Sequence, residues 1–223
     1  MKLAIRSFLI AVVLPIASLA QAEAPKAVAL FDGKTLTGWV TGGGKPVTQG
    51  WVVEDGTLHR ADKGGDIFTE KEYTDFILEF EWKISEAGNS GVKYRFGKYG
   101  NSSIGAEYQV LDDDKHPDGK VGKRRQSGSL YDVIEPNDEK KLNAVGQWNH
   151  AKIVVKGTKI EHWVNGKKVI DIDLTSDEWK SALAKSKFKG APDFATKAGK
   201  IMLQDHGNKV WFRNLKITDL GEK

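Results

Sequence analysis

Glu107 and Gln109 are the residues whose types and spacing could do chemistry most directly. They lie in residues 105–112, where polar and apolar residues alternate. Because successive side chains of a β-strand point to opposite faces, both polar groups would share one face while the apolar residues pack into a core. Such a face could bind a sugar, with Glu107 as a base or metal ligand and Gln109 binding hydroxyl groups. The alternatives are a solvated surface carboxylate and a cross-strand hydrogen bond.

Two further strand-like stretches carry polar groups, at residues 128–132 and 200–206. In the first, Tyr131 could stack on a sugar or donate its hydroxyl to it, and core packing is the alternative. In the second, Gln204 could bind a substrate, and His206 could exchange a proton near neutral pH. The alternative for His206 is a turn residue held by the preceding aspartate.

Arg95 and Asp112 would add a donor and an acceptor to this site. Arg95 follows Lys93 by two positions, so we expect both to face the polar side, where a guanidinium could donate to a carbonyl oxygen. A salt bridge to a glutamate on a neighbouring strand is the alternative. Asp112 stands at a strand end, where it could contact a ligand or cap a turn. The aspartates at 112–114 could bind calcium through oxygen atoms, although no complete calcium-loop spacing follows them.

His162 is a further candidate for contact with a substrate. It shares a strand face with Ile160 and Val164. A histidine on an apolar face is more often a core residue whose ring nitrogens are hydrogen-bonded. Both interpretations stay open from the residues alone.

Period-two alternation dominates the elements that would position these residues. Residues 75–84 and 151–155 place apolar side chains on one face and charged ones on the other. Turn signals lie at residues 54–57, at residues 164–167, where Asn-Gly favours a hairpin, and at residues 206–209, interpreted as another hairpin turn. Many short strands with regular turns predict an antiparallel β-sandwich or jelly roll.

One helix and two loops complete this prediction. The helix is expected to begin at the capping box of Thr175 and Glu178 and to run to about Lys187. Residues 115–126 and 136–146 are polar and irregular, so we expect loops beside the sandwich.

The first 22 residues have the pattern of a secretory signal peptide. Lys2 and Arg6 precede the mostly apolar residues 8–19, and residues 20–22 form an A-x-A cleavage site. The apolar stretch is shorter than the roughly 20 residues that a membrane-spanning helix needs. We therefore expect residues 23–223 to form a single domain in the periplasm or outside the cell, with no membrane contact after cleavage.

The charge and the cysteine content bear on partners and on stability. The formal net charge is +4, and loss of the two basic residues of the leader would reduce it to +2. Residues 123–125 form the single basic cluster, which we interpret as a solvated loop and not as a nucleic-acid site. The chain has no cysteine, so disulfides cannot stabilise it after export.

A series of short motifs follows in a fixed order along the chain. They lie at residues 30–39, 89–92, 107–112, 128–131, 147–149, 203–207 and 210–215. This series resembles the 3-keto-disaccharide hydrolase family over residues 27–219. The resemblance implies a concanavalin A-like jelly roll and an activity on sugars oxidised at C3, and it favours His162 as a site residue. The repeated acidic residues of jelly-roll glucanases do not follow Glu107, which disfavours an ordinary retaining glucanase.

The implied activity would follow a route unlike ordinary glycoside hydrolysis. A ketone at C3 acidifies the hydrogen on C2, its removal gives an enolate that expels the group on C1, and water adds to the resulting enone. The route needs a base near C2, donors for the enolate oxygen and an acid near the leaving oxygen. It does not need two carboxylates that flank the bond. We assign the base to Glu107 or His206, and the donors to Arg95 and Gln204.

Two other functions stay open at this stage. A non-catalytic, lectin-like carbohydrate-binding module needs polar groups and stacking rings but no base of tuned pKa. A lyase or hydratase would perform half of the net reaction. No cofactor follows from the motifs, and a divalent metal such as calcium stays an option.

Overall fold

The computed structural model describes residues 25–221, so the predicted signal peptide lies outside the described residues. Thirteen strands, one α-helix and two short 3₁₀ helices occur in residues 25–221. The strands form two antiparallel sheets that pack face to face as a jelly-roll β-sandwich. The predicted all-β fold with one short helix is therefore confirmed. None of the described helices is long and apolar enough to cross a membrane.

The larger sheet contains eight of these strands. They are β1 (Val28–Ala29), β3 (Trp51–Glu54), β4 (Thr57–Arg60), β6 (Phe76–Ile84), β9 (Asn149–Lys156), β10 (Lys159–Val164), β11 (Lys167–Asp173) and β13 (Val210–Asp219). In space the order is β11-β10-β9-β6-β13-β4-β3, with β1 paired to β13. Buried and half-buried residues alternate strictly along β6, as its sequence predicts.

The smaller sheet contains five strands in the order β2-β5-β12-β7-β8. They are β2 (Trp39–Thr41), β5 (Ile67–Tyr73), β7 (Asn89–Tyr99), β8 (Ser102–Leu111) and β12 (Gly199–Leu203). Tyr94 and Tyr108 on its inner face belong to the core between the sheets. Lys93 of β7 pairs with Glu107 of β8, and both side chains lie on the outer face because their core-facing neighbours alternate with them.

Two predicted hairpin turns are confirmed and the third is wrong. Asp55 and Gly56 between β3 and β4, and Asn165 and Gly166 between β10 and β11, all have positive φ, as type I′ turns require. Residues 206–209 instead connect β12 of the smaller sheet to β13 of the larger sheet. That turn is a crossover between layers, because the two strands it joins do not pair.

The helix α1 spans Asp177–Lys185, within the predicted range. Its N-cap is Ser176, whose Oγ accepts a hydrogen bond from Trp179 N, so the cap lies one residue after the predicted Thr175. The chain that follows contributes Lys187, Phe188, Gly190 and Ala191 to a cavity on the outer face of the smaller sheet.

Residues 128–132 do not form a strand of their own, contrary to the prediction. They make isolated bridges beside β8, with Tyr131 N donating to Glu107 O and Gly128 N donating to Gln109 O. The predicted loop at 115–126 contains the two 3₁₀ helices. These segments cover the edge strand β8. They place the backbone of Tyr131 beside that of Glu107.

Candidate active site

A cavity of about 600 Å³ opens on the outer face of the smaller sheet. Lys93 and Glu107 line it from the sheet, and residues 99–105 line it from the β7–β8 hairpin. The chain after α1 contributes Lys187, Phe188, Gly190 and Ala191. The volume falls in the range of pockets that hold small organic ligands. Its lining therefore contains a carboxylate and two lysines within one enclosure.

Glu107 is buried, but its carboxylate oxygens can still accept hydrogen bonds from a ligand. Oε2 lies 3.7 Å from Lys93 Nζ, which is longer than a hydrogen bond. Burial raises the pKa of Glu107, and the positive charges of Lys93, Lys187 and His206 oppose the rise. A carboxylate with a raised pKa and unused lone pairs is suited to accept a proton from a ligand.

Gly91 on β7 gives Glu107 its place on the sheet. A side chain at position 91 would collide with Oε1 of Glu107 and would also crowd its Cγ and Cδ. The carboxylate therefore lies directly over the glycine backbone. Within the motif at residues 89–92, the glycine is explained by this close approach.

Lys187 approaches the cavity from the chain after α1. Its backbone N donates to Asp132 Oδ2 at 2.8 Å, and its ammonium lies 4.1 Å from the centroid of the Tyr131 ring. The side chain is exposed because the cavity is open to solvent, yet the surrounding atoms still lower its pKa through burial, an effect that the charge of Glu107 opposes. Of the residues described, none offers a carboxylate within ion-pair distance of this amine.

A hydrogen-bonded chain fixes Tyr131 and Lys187. Tyr131 OH donates to Asp118 Oδ2 at 2.6 Å, and Arg125 donates from Nη1 to Asp118 Oδ1 and from Nε to Asp132 Oδ1, both at 2.9 Å. Burial raises the pKa of Tyr131, and its bond to Asp118 adds to the rise. Arg125, expected in a solvated loop, is therefore half-buried and holds two carboxylates that support the site.

Gln204 and His206 lie beside the site at the end of β12. Gln204 N donates to Gly91 O at 3.0 Å, which places this residue next to the glycine beneath Glu107. His206 is exposed, and its ring centroid lies 6.2 Å from that of His116. The structure thus brings Glu107, Gln204 and His206 together, as the sequence predicts, and their catalytic or binding roles stay predictions.

Asp205 does not hold the ring of His206. Burial alone would raise the pKa of Asp205. Hydrogen bonds from Gly64 N, Arg60 and other donors outweigh that effect and lower the pKa of Asp205 to about 2. Arg60 Nε lies 2.7 Å from Oδ1. Asp205 therefore anchors the loop before β5 to the turn that carries His206.

Arg95 does not face the cavity, so the prediction that it shares the face of Lys93 is wrong. A bulge shifts the β7–β8 register between Tyr94 and Gly97, and Arg95 itself has φ 47°, which turns its side chain out of the alternation. The buried guanidinium donates to Thr74 O, Ala195 O, Gly157 O and Asp75 Oδ1 at 2.6–3.1 Å. Its donors are engaged by protein acceptors, so we no longer assign it to a substrate oxygen.

His162 is fully buried in the core, away from the cavity. Its Nε2 lies 2.8 Å from Tyr94 OH and its Nδ1 lies 3.0 Å from Gly128 O. Burial lowers the pKa of His162 to about 4, although the bond to Gly128 opposes the shift. The core interpretation left open above is the one that the geometry supports.

Gln109 and Asp112 are also held by protein groups. Gln109 is buried beneath the loop, where its Oε1 accepts from Val110 N at 3.2 Å. Asp112 accepts hydrogen bonds from the backbone N of Ala87, Asp114 and Lys115 at 2.7–3.2 Å. Of the two alternatives for Asp112, a ligand contact and a turn cap, the structure shows the turn cap. Neither the Gln109 nor the Asp112 side chain lines the cavity.

The aspartates at 112–114 were the candidates for a calcium site. Asp112 is used by backbone donors, and Asp113 accepts from Ser127 N and from Lys140 Nζ, both at 2.7 Å. Within residues 25–221, no three His, Cys, Asp or Glu side chains are grouped so that they could hold a metal ion. The geometry gives no support to a calcium site at this turn.

Lys93 and Lys187 are site residues to which the sequence reasoning assigned no role. Lys93 could have been found, because it lies two positions after Gly91 on a strand whose other face is apolar. Lys187 carries no local signal, since tertiary packing of the chain after α1 brings it to the cavity.

Comparison with known proteins supports one family assignment. Residues 26–218 match the model of the 3-keto-alpha-glucoside-1,2-lyase-like domain. A 3-keto-disaccharide hydrolase of Bacteroides thetaiotaomicron is 36% identical over an alignment that covers 85% of this chain and 77% of that protein. The crystal structure of a candidate glycosyl hydrolase from Parabacteroides distasonis is 35% identical, with a TM-score of 0.78 over 87% of this chain and 94% of the other.

A more distant structure bears on the fold alone. A carbohydrate-binding module of Bacillus subtilis is 19% identical, with a TM-score of 0.50 over 82% of this chain and 96% of the module. The ordered motifs, the sandwich and these relatives agree. This chain belongs to the 3-keto-alpha-glucoside-1,2-lyase-like family, which includes 3-keto-disaccharide hydrolase.

Proposed function

We propose that this protein is a carbohydrate-active enzyme that cleaves glycosides carrying a ketone at C3. Family membership and the name of the Bacteroides relative support a hydrolase that acts on sugars. The oxidised substrate is the finer part of the proposal, and the site chemistry is its support. The natural glycoside would be a disaccharide or a similar small molecule, which suits a cavity of about 600 Å³.

The observation that carries the proposal is the charge pattern of the cavity. Along the described lining, Glu107 is the single carboxylate, and it stands with Lys93 and Lys187. An ordinary glycosidase places two carboxylates on opposite sides of the scissile bond. An enolate route needs one base and positive charge near the developing oxyanion. One carboxylate and two lysines match the needs of an enolate route better than those of an ordinary glycosidase.

The roles follow from these positions. Glu107 takes the C2 proton, and the two lysines stabilise the negative charge that develops on the C3 oxygen, in place of Arg95. His206, exposed beside the site, gives a proton to the leaving oxygen in this proposal. Gln204 offers an amide to a hydroxyl of the sugar.

The decisive experiment compares a 3-keto disaccharide with its unoxidised parent, in ordinary and in heavy water. We expect cleavage of the oxidised sugar alone, with deuterium incorporated at C2 of the released 3-keto sugar. Equal cleavage of the parent, or a product that keeps its original C2 hydrogen through turnover, would contradict the enolate route. Accumulation of an unsaturated product would identify a lyase, and binding of both sugars without cleavage would identify a lectin-like module.

The same proposal includes export of the protein. The signal-peptide pattern of residues 1–22 supports it, and residues 23–223 would form the mature enzyme. N-terminal sequencing of the protein from the periplasm or the medium checks this, and a start at Met1 in the cytoplasmic fraction would contradict it.

A further inference from the structure

The two lysines of the cavity differ in what holds them. Lys93 Nζ lies 3.7 Å from Glu107 Oε2 and forms an ion pair with it. Lys187 Nζ has no carboxylate within 4 Å among residues 25–221, and its contacts are with the Tyr131 ring at 4.1 Å and the Phe188 ring at 5.0 Å. Lys187 therefore presents an amine whose nitrogen is not committed to a partner carboxylate.

The position of Lys187 is fixed by a buried carboxylate that also binds Arg125. Asp132 is 3% exposed and adopts φ 62°, a left-handed conformation that a side chain rarely takes. Its carboxylate accepts from Lys187 N and from Arg125 Nε. A strained, buried aspartate thus secures the backbone from which the lysine enters the cavity.

The surface beneath the Lys187 amine is fixed as well. The hydroxyl of Tyr131 is tied to Asp118, which Arg125 also holds, so the ring cannot swing away without breaking a 2.6 Å hydrogen bond. The amine and Glu107 line the same cavity, and the aromatic ring below the amine is held in place. Such an amine can approach a carbonyl group bound in the cavity.

We propose that Lys187 forms a covalent iminium with the C3 ketone of the substrate, so that the carbanion formed at C2 is an enamine. This inference rests on the proposed function, because only a 3-keto sugar brings a ketone to this site. A protonated imine withdraws electrons from C2 more strongly than a ketone does. Lysine amines act in this way on carbonyl substrates when their surroundings favour the neutral form.

The steps balance without any co-reactant other than water. The neutral Lys187 amine adds to C3, and with one proton the adduct loses water to give the iminium. Glu107 takes the C2 proton to give the enamine, which expels the C1 oxygen as that oxygen gains a proton, leaving a conjugated iminium. Water adds at C1, C2 regains a proton, and a second water hydrolyses the iminium, so that the ketone and the amine are restored.

The surroundings of Lys187 agree with this role. Burial lowers its pKa more than the charges of Glu107 and Asp132 raise it, which increases the fraction of neutral amine at a given pH. Lys93 lies 3.7 Å from Glu107, so it is the electrostatic partner of the carboxylate. The two lysines then have separate tasks, one covalent and one electrostatic.

Reductive trapping tests the inference directly. The wild-type protein is incubated with a 3-keto disaccharide and sodium cyanoborohydride, and the adduct is located by mass spectrometry of peptides. We expect one stable sugar adduct on Lys187 and loss of activity in parallel with its formation. Turnover without any adduct, or an adduct on other lysines alone, would overturn the inference and leave the proposed function intact. An enzyme that does not cleave the oxidised sugar would overturn both.

A matched pair of variants separates covalent from electrostatic action. Lys187→Arg keeps the charge but cannot form an imine, so we expect turnover to fall by roughly 10²-fold or more, the scale of a lost catalytic group. Lys189→Arg makes the same change two residues away, outside the cavity lining, and should leave turnover unchanged. Turnover of Lys187→Arg within about threefold of wild type, in protein of unchanged circular dichroism, would overturn the inference.

Discussion

Two regions of this molecule hold ionisable side chains in opposite ways. In the body of the sandwich, Arg95 donates to four protein acceptors, and both ring nitrogens of His162 are hydrogen-bonded. In the cavity, Glu107 has a cation at 3.7 Å, and Lys187 rests on an aromatic ring. The protein supplies hydrogen-bond partners for Arg95 and His162. It leaves Glu107 and Lys187 short of such partners.

The difference teaches how to separate structural from functional polar groups in this fold. A buried polar group without partners costs free energy, so saturation is the expected state of a group whose task is to hold the structure together. A group left short of partners in a solvent-filled cavity can gain them from a ligand. Removing Arg95 or His162 should therefore affect stability first, and removing Glu107 should affect turnover first.

The largest effect is expected from Arg95→Leu. The change leaves three backbone carbonyls without their donor and Asp75 without its cationic partner, so the free energy of unfolding should fall by about 3–5 kcal/mol, the scale of a broken buried ion pair. Arg213→Leu is the matched control, because Arg213 pairs with Glu81 on the surface, where a loss of about 1 kcal/mol or less is expected. Chemical denaturation measures both. Equal losses in the two variants would refute the special standing of Arg95.

The next effect is a pH dependence of stability carried by His162. Its folded pKa is about 4 and its ordinary value is 6.5, so the unfolded chain binds a proton that the folded protein excludes. The contribution of His162 to the free energy of unfolding is therefore fully present above pH 6.5. As the pH falls toward 4, the free energy of unfolding decreases by roughly 3 kcal/mol. The measurement is the unfolding free energy at several pH values.

Substitution isolates the contribution of His162 from that of the carboxylates. His162→Phe should have a shallower slope between pH 6.5 and 4 than the wild type, even if its stability at neutral pH is lower. His150→Phe is the control, because His150 is exposed, and its slope should match the wild type. A slope unchanged in His162→Phe would contradict the burial of a neutral ring.

Glu107→Gln should act on chemistry and not on folding. Turnover of a 3-keto glycoside should fall by roughly 10²-fold or more, the scale of a lost general base, while the protein keeps its fold. Glu86→Gln serves as the control, since Glu86 is exposed and pairs with Lys115 at the surface. Kinetics with purified proteins checks the difference. Turnover of Glu107→Gln equal to that of the control would remove Glu107 from the mechanism.

The smallest effect concerns the stability of the same variant. Burial raises the pKa of Glu107 above its ordinary value of 4.5, so the free energy of unfolding falls as the pH rises from 4.5 through the folded pKa. At neutral pH, Glu107→Gln should be as stable as the wild type or slightly more stable. At a pH below 4, where both states are protonated, the gain should vanish. A marked loss of stability at neutral pH would place Glu107 with the saturated groups.

The fold was predictable from the sequence wherever side chains alternate without interruption. Strict alternation in β6 and the Asn165–Gly166 turn are local signals, and the structure follows both. Prediction failed where tertiary contacts override the local pattern. The left-handed backbone at Arg95 reverses its face, and the turn at 206–209 joins two layers because β12 finds its partners in β5 and β7.

The site was predictable only in part, for the same reason. Glu107 follows from alternation on β8, and Lys93 lies opposite it in the register. Gln109 lies on the expected face too, but the loop at 123–126 covers it, which no strand pattern reveals. Lys187 enters the cavity through packing after α1, so a reader of the sequence has no spacing from which to find it.

The glycine beneath Glu107 has a consequence for how this family could change its task. One methyl group at position 91 would collide with the carboxylate of Glu107 and displace it, whereas none of its nearest neighbours lies in the cavity wall at residues 99–105. A single substitution could thus remove the catalytic base and leave the binding cavity in place. In such a sandwich, one added methyl group can separate a protein that cleaves a glycoside from one that only binds it.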